Sequence, residues 1–423
     1  MRGMKDSGIE WIGEVPNDWR IVRNKNAFVC NKELVGEKSE LTQLLSLTTH
    51  GIKKKDINNA EGKLPESFDT YQFVKENDIV MCLFDLDCSA VFSGISPFDG
   101  MISPAYRVLS CKESMEPRYA DYWFRYISDG RKFNHYAKNI RYTLSYEEFS
   151  ALPLLLPEKS EQRSIADYLD RKCSQIDAII ARQQEVIEKL KAYKLSVITE
   201  AVTKGLNPNV PMKDSGVEWI GEIPEHWQVP KIKYLATIAS GGTPDRSHPE
   251  YWNGSINWAK TGELQNNELY ETEEKITELA LENSSAKVFS VDTILVAMYG
   301  QGKTRGMTAL LKVPSATNQA CAGIAVYSKD ITVSYLWLFL MGAYDAIREK
   351  ANGSGQPNLS GALIADFNVT LPPIEEQMNI CKTVAMRLPH IDSIIKQKET
   401  IVDKLTAYKK SLIYEVVTGK KEV

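Results

Sequence analysis

Two stretches of the chain repeat apolar residues every seven positions for long enough to predict long helices. In the first, Leu169, Ile176, Gln183, Leu190 and Val197 make one row, and Ile165, Lys172, Ile179, Val186, Tyr193 and Glu200 a second. In the other, Val384, Ile391, Lys398, Leu405 and Leu412 answer to Ile380, Arg387, Ile394, Ile401, Tyr408 and Glu415. Polar residues interrupt both copies at the same layers: Gln183 with Lys398, Lys172 with Arg387, Glu200 with Glu415. Such layers cost stability and fix register, so the pattern reads as a coiled-coil seam. Pro157 and Pro372 precede the helices, as suits a helix start. Gly205 and Gly419 follow them, as suits a C-terminal cap. At ~45 residues each, the helices span ~65 Å, about two turns of a DNA duplex.

The duplication extends beyond the helices. Residues 4–19 and 212–227 share 12 of 16 positions at an offset of 208, and residues 176–203 and 391–418 share 14 of 28 at an offset of 215. The middles, roughly 28–140 and 236–355, show no comparable match. One plan is written twice: opening box, divergent middle, long helix. The expected fold is α+β, with two globular domains separated by two long helices that form an antiparallel coiled coil, under a pseudo-two-fold internal repeat. The boundaries expected are 1–157 and 212–372 for the globular domains, 158–205 and 373–419 for the helices, and 206–211 for the linker.

Composition narrows the class. The chain has 423 residues, 43% hydrophobic and 25% charged, with a net charge of −4. No apolar run reaches the ~20 residues that a membrane span needs, and the start shows no signal-peptide core, so a cytoplasmic protein is expected. Seven cysteines are scattered without a Cys-x-x-Cys pair, and five histidines form no metal-binding spacing; no metal or cofactor is expected. Two stretches are locally basic. Residues 118–146 carry Arg118, Arg125, Arg131, Lys132, Lys138 and Arg141 against Asp121 and Asp129. Residues 293–329 carry Lys303, Arg305, Lys312 and Lys329 with no acid. Either is a solvated face or a nucleic-acid footprint.

The doubled SG[IV]EWIGE[VI]P box stands with SGGTPDRSHPEYWNGSINWAKTGEL (240–264), ILVAMYGQGKTRG (294–306), ATNQACAGI (316–324), and GSGQPNLS (353–360) leading into LPPIEEQ (371–377). In this set the chain resembles the specificity subunits of type I restriction-modification enzymes, over essentially its whole length. The resemblance implies a non-catalytic reader of double-stranded DNA. Each divergent domain would read half of a bipartite site. The helices would set the gap and dock two methyltransferase subunits, which restriction subunits then join. It also implies DNA contacts at Gly241, Thr243, Tyr299, Gln301, Lys303, Arg305, Gln319, Ser354, Gln356 and Asn358. In the first domain the loop matching GSGQPNLS keeps only Leu144 and Ser145. Lys138, Asn139, Arg141 and Tyr142 are the contact candidates there.

Two patterns imitate other chemistry. Gly300–Thr304 resembles the end of a phosphate-binding loop, but the glycine that pattern needs is Ala297; it reads as a strand-to-loop turn where Lys303 and Arg305 meet phosphates and Gln301 an adenine edge. Pro244-Asp245 with Glu273-Glu274-Lys275 imitates a metal-dependent nuclease, but it is short and has no copy in the first half. No methyltransferase signature occurs. Trp11, Trp19, Trp219 and Trp227 read as framework aromatics rather than base-stacking platforms. Tyr136 and Tyr142, interleaved with Lys138 and Arg141, are better placed for contact. Gln356 and Asn358, among small residues, suit a loop that enters a groove and reads base edges.

Overall fold

The computed structural model describes residues 2–56, 65, 67–86, 92–137, 142–300, 302–351 and 358–423. The expected helices run from Lys159 to Lys204 and from Ile374 to Val417. Gly205 and Gly419 take the left-handed conformation that ends them, at φ +75° and +69°. The second helix continues through Pro389, which removes one backbone donor from its ladder.

The chain forms two compact units, Met1–Gln184 with Thr400–Val423, and Glu185–Glu399. Each long helix is therefore divided near its middle, and each unit holds one half of both. In the first unit the strands order Phe28–Asn31, Arg107–Cys111, Ile79–Met81, Ser93–Ile95 in an antiparallel sheet. The helix Pro117–Asp129 lies against it, its eight buried residues including Tyr119, Trp123 and Phe124. Ile165, Leu169, Cys173 and Ile176 of the first long helix join the same core, as do Leu412, Ile413, Val416 and Val417 of the second.

The second unit repeats this plan with a larger sheet. The order is Ala236–Ser240, Cys321–Val326, Ile294–Ala297, Thr308–Leu311, Asn267–Leu269, the last pair parallel. A second sheet of four strands is built around Trp252–Ala259. Ile198, Ala201 and Val202 of the first long helix and Ile380 and Val384 of the second enter the main core.

The repeated residues make repeated contacts. Trp19 and Trp227 are 1% and 0% exposed, and their indoles donate to Glu161 (3.0 Å) and Glu376 (2.8 Å). Gln162 and Gln377, both fully buried, donate to the carbonyls of Pro157 and Pro372. Trp11 and Trp219 pack against the two cores. These are framework tryptophans, as expected.

The seam differs from the sequence reading. The row Leu169, Ile176, Gln183, Leu190 is buried or half-buried, but its companion is Cys173, Ile180, Ile187, Lys194. The expected companion row starts buried at Ile165 and then turns outward: Ile179 is 46% and Tyr193 58% exposed. The second helix makes the same shift, to Leu388, Ile395, Val402, Lys409 and Val416, leaving Ile401 and Tyr408 exposed. Apolar residues occupy both alternatives, so the seven-residue period leaves the choice open. Ion pairs accompany the buried choice. Lys409 pairs with Asp177 at 2.6 Å in the first unit, and Lys194 with Asp392 at 2.6 Å in the second. The two pairs are one pair under the 215-residue offset.

Candidate nucleic-acid interface

In the second unit four loop segments meet at one end of the five-stranded sheet. The strand Ala236–Ser240 runs into Gly241 and Gly242, whose amides donate to the carbonyls of Cys321 (3.2 Å) and Thr317 (2.8 Å). A Cβ on Gly241 would collide with Thr317, so the close approach requires glycine there. The Thr243 hydroxyl donates to the Gln319 side-chain carbonyl. Beyond Ile294–Ala297, the Met298 amide donates to Ala320 (2.8 Å), and the Leu359 amide to the Met298 carbonyl (3.0 Å). Gly241, Thr243, Tyr299, Gln319 and Asn358 thus lie on adjoining segments. Tyr299 is 39% exposed, Gln319 is exposed, and the Lys303 side chain is 84% exposed. Gln301, Ser354 and Gln356 lie outside the described residues.

Lys303 and Arg305 follow on the same loop, which is held from behind. Arg348 donates to the carbonyls of Gly302 (2.8 Å) and Arg305 (2.7 Å), and the Tyr344 hydroxyl to that of Lys303 (2.6 Å). Sequence reasoning missed Arg348 and Tyr344. Their only signal is an arginine four residues after a tyrosine on a helix, Tyr344–Glu349.

The first unit has the same clamp with different contents. The Leu144 amide donates to Leu83 at 2.8 Å, matching Leu359 on Met298. Ser145 and Ser360 each cap the next helix, accepting from Glu148 and Leu363. The loop alignment drawn from these two residues therefore holds in three dimensions. Tyr142 is 38% exposed in a left-handed conformation (φ +45°), and its carbonyl accepts from Leu86. Lys138, Asn139 and Arg141 lie outside the described residues.

Two sequence expectations need correction. The basic stretch after Arg118 is partly an internal clamp. Arg118 pairs with Asp167 and Asp170 of the first long helix, each at 2.8 Å, and these bonds raise its pKa further. Arg125 pairs with Asp121 at 2.8 Å. Burial pushes the Asp121 carboxyl up against the pull of Arg125. The acids that neutralise Arg118 come from outside the stretch, so its local charge misleads. Tyr136, too, is a framework residue: its hydroxyl accepts from the Trp11 indole (3.3 Å).

The nuclease-like residues are committed to each other. Glu274 is held by Lys260 (2.9 Å) and Arg246 (2.8 Å), and Glu273 by Lys260 (2.9 Å). Asp245 accepts from the amide and hydroxyl of Ser247. Arg246 also stacks 4.1 Å from the Trp252 ring centroid. Among the described residues no group of three or more His, Cys, Asp or Glu side chains is gathered as for a metal ion, and no helix is long and apolar enough to cross a membrane.

Comparison with known proteins agrees with this architecture. Residues 224–410 match the sequence model of the Type I restriction modification DNA specificity domain. The MjaIX specificity subunit of Methanocaldococcus jannaschii is 34% identical over 188 residues, 43% of this chain and 41% of that one. The MjaVIII specificity subunit of the same organism is 25% identical over 96% of this chain and 93% of its own length. The EcoR124I/EcoR124II specificity subunit of Escherichia coli is 24% identical over 62% of this chain and 68% of its own. In fold, the chain superimposes with a TM-score of 0.71 on one from a study of assembly and conformational transition of the type I R-M system, covering 96% and 99% of the two at 12% identity. With a doubled framework, a match to the specificity-domain model in its second half and relatives matched nearly end to end, the chain is similar to the specificity subunits of type I restriction-modification systems.

Proposed function

We propose that the chain reads a bipartite DNA site, one half with each divergent domain (1–157 and 212–372), and has no catalysis of its own. The observation that carries this reading is the paired clamp. Leu144–Ser145 and Leu359–Ser360 hold loops in the same way, yet the residues displayed differ, as expected of two readers of different sequences. In this reading Tyr299, Gln319, Gln356 and Asn358 face bases, and Lys303 and Arg305 face phosphates. Lys138, Asn139, Arg141 and Tyr142 serve the first domain.

The helices 158–205 and 373–419 set the gap and dock two methyltransferase subunits. Support comes from one repeated row. Ile179, Ile401 and Tyr408, exposed in the first unit, repeat in the second as Ile394 and Val186, both half-buried, and exposed Tyr193. Two copies of one partly apolar stripe suit two copies of one partner. Restriction subunits complete the assembly. The test is methylation mapping with the chain and its methyltransferase on a DNA library. Two fixed sequence blocks at constant separation are expected. A single uninterrupted block, or methylation without sequence preference, would remove the reading.

A further inference from the structure

The residues that imitate a nuclease hold one of their number out to solvent. Arg246 sits on the loop that leaves Gly241–Thr243. Its guanidinium lies 4.1 Å from the Trp252 ring centroid and 5.5 Å from that of Trp258, and the two indoles meet edge to face, 5.1 Å apart. One oxygen of Glu274 accepts from Arg246 (2.8 Å) and the other from Lys260 (2.9 Å). The loop is pinned on both sides of this stack. The Trp258 indole donates to the Gly242 carbonyl (3.0 Å) and the Trp252 indole to that of Asp245 (3.4 Å). Trp258 thus touches both Arg246 and the residue before Thr243, so the guanidinium stands beside the Thr243–Gln319 pair. Its side chain is nevertheless 57% exposed. A guanidinium carries five N–H donors. One goes to Glu274, and the others find no acceptor among the described residues.

A surface arginine ordinarily loses rotamer freedom when it binds. Here the indole and the carboxylate have already taken that loss and fixed the plane of the fork. The carboxylate also offsets the charge. A phosphate rewards charge above orientation, whereas the O6 and N7 edge of a guanine asks for two donors in one plane. A fixed plane with an offset charge therefore suits a base. We propose that Arg246 donates to O6 and N7 of a guanine in one half-site, with Trp252 and Glu274 as positioning residues. The assignment rests on the proposed reading of this unit as a DNA reader. The carboxylate that imitates a nuclease ligand then serves to aim a base contact.

The test uses the full-length chain with its methyltransferase. Methylation mapping on a DNA library gives the base preference at each position. Arg246→Met should lose the preference for guanine at one position, by about tenfold or more, and keep every other preference, which shows that the variant is folded. Arg246→Lys keeps the charge without the planar fork and should lose the same preference. Glu274→Gln and Trp252→Leu should blunt it in part, and only there. On the mapped duplex, 7-deazaguanine at that position removes the N7 acceptor. It should weaken wild type about tenfold and leave Arg246→Met unaffected. If Arg246→Met weakens target and random duplex alike while Arg246→Lys binds as wild type does, Arg246 meets a phosphate and the proposal is overturned. It is overturned equally if no guanine preference moves, or if both Arg246 variants lose every preference of a half-site together, as a frame residue would. Each of these leaves the DNA-reading proposal standing. If wild type itself shows no sequence preference, both fall.

Discussion

Glu274 is caught between burial, which pushes its pKa up, and bonds from Lys260 and Arg246, which outweigh it and hold the carboxyl below its ordinary value of 4.5. A carboxyl lowered by folding stabilises the native state above its unfolded value and loses that contribution as pH falls through the folded one. The side chain is 29% exposed, so the effect is about 1 kcal/mol. Glu274→Gln should therefore melt lower than wild type at neutral pH, and the two curves should converge below pH 4.5; thermal unfolding across pH checks this. At the reading surface, Asn358→Ala and Gln356→Ala should each cost ~1–3 kcal/mol in discrimination between target and altered site. Lys303→Ala should weaken binding to every sequence and reduce its salt slope by about one. Equal losses on target and random duplex for all three, measured by anisotropy of the reconstituted complex, would contradict this division. Single residues were the least legible part of the chain. Trp19 and Trp227 were readable because repetition marks them. Arg348 was not, because its partners are carbonyls, which no side-chain pattern records.

The long helices were legible in extent and cap, and illegible in rotation. Both candidate rows contain isoleucine at successive turns, and only packing against the rest of each unit separates Ile187, 6% exposed, from Ile179, 46% exposed. The two positions should consequently respond in opposite ways. Ile187→Ala should cost about 2–4 kcal/mol in unfolding free energy. Ile179→Ala should change stability by less than ~0.5 kcal/mol but weaken methyltransferase binding, because its exposed side chain belongs to the proposed docking stripe. Denaturant melts and a pull-down with the methyltransferase measure the two effects separately. The strands of the divergent middles were legible only as α+β character. Most are three to five residues long, too short for alternation to declare itself, and their pairing depends on contacts distant in sequence.

The whole chain carries −2 over residues 1–157 and −5 over 212–372, and part of its basic stretch is consumed by Asp167 and Asp170. Counterion release is correspondingly small. The chain alone should bind its target weakly at physiological salt, and much more tightly once the methyltransferase is added; a gel shift with and without that partner decides it. If the helices are the ruler, one heptad added to each, after residues 184 and 399, should keep the seam in phase and lengthen the gap by ~10.5 Å with both half-sites unchanged. Methylation mapping of an active variant with an unaltered gap would show otherwise. The paired bridges Asp177–Lys409 and Lys194–Asp392 bear on how such a protein changes over generations. Each unit is fastened by an aspartate and a lysine that both copies of the repeat supply. A genetic crossover within the matched segments 176–203 or 391–418 can therefore import a foreign reading domain and still find every fastening residue in place. Recombination through these segments would thus exchange a reading domain without any adjustment of the two bridges.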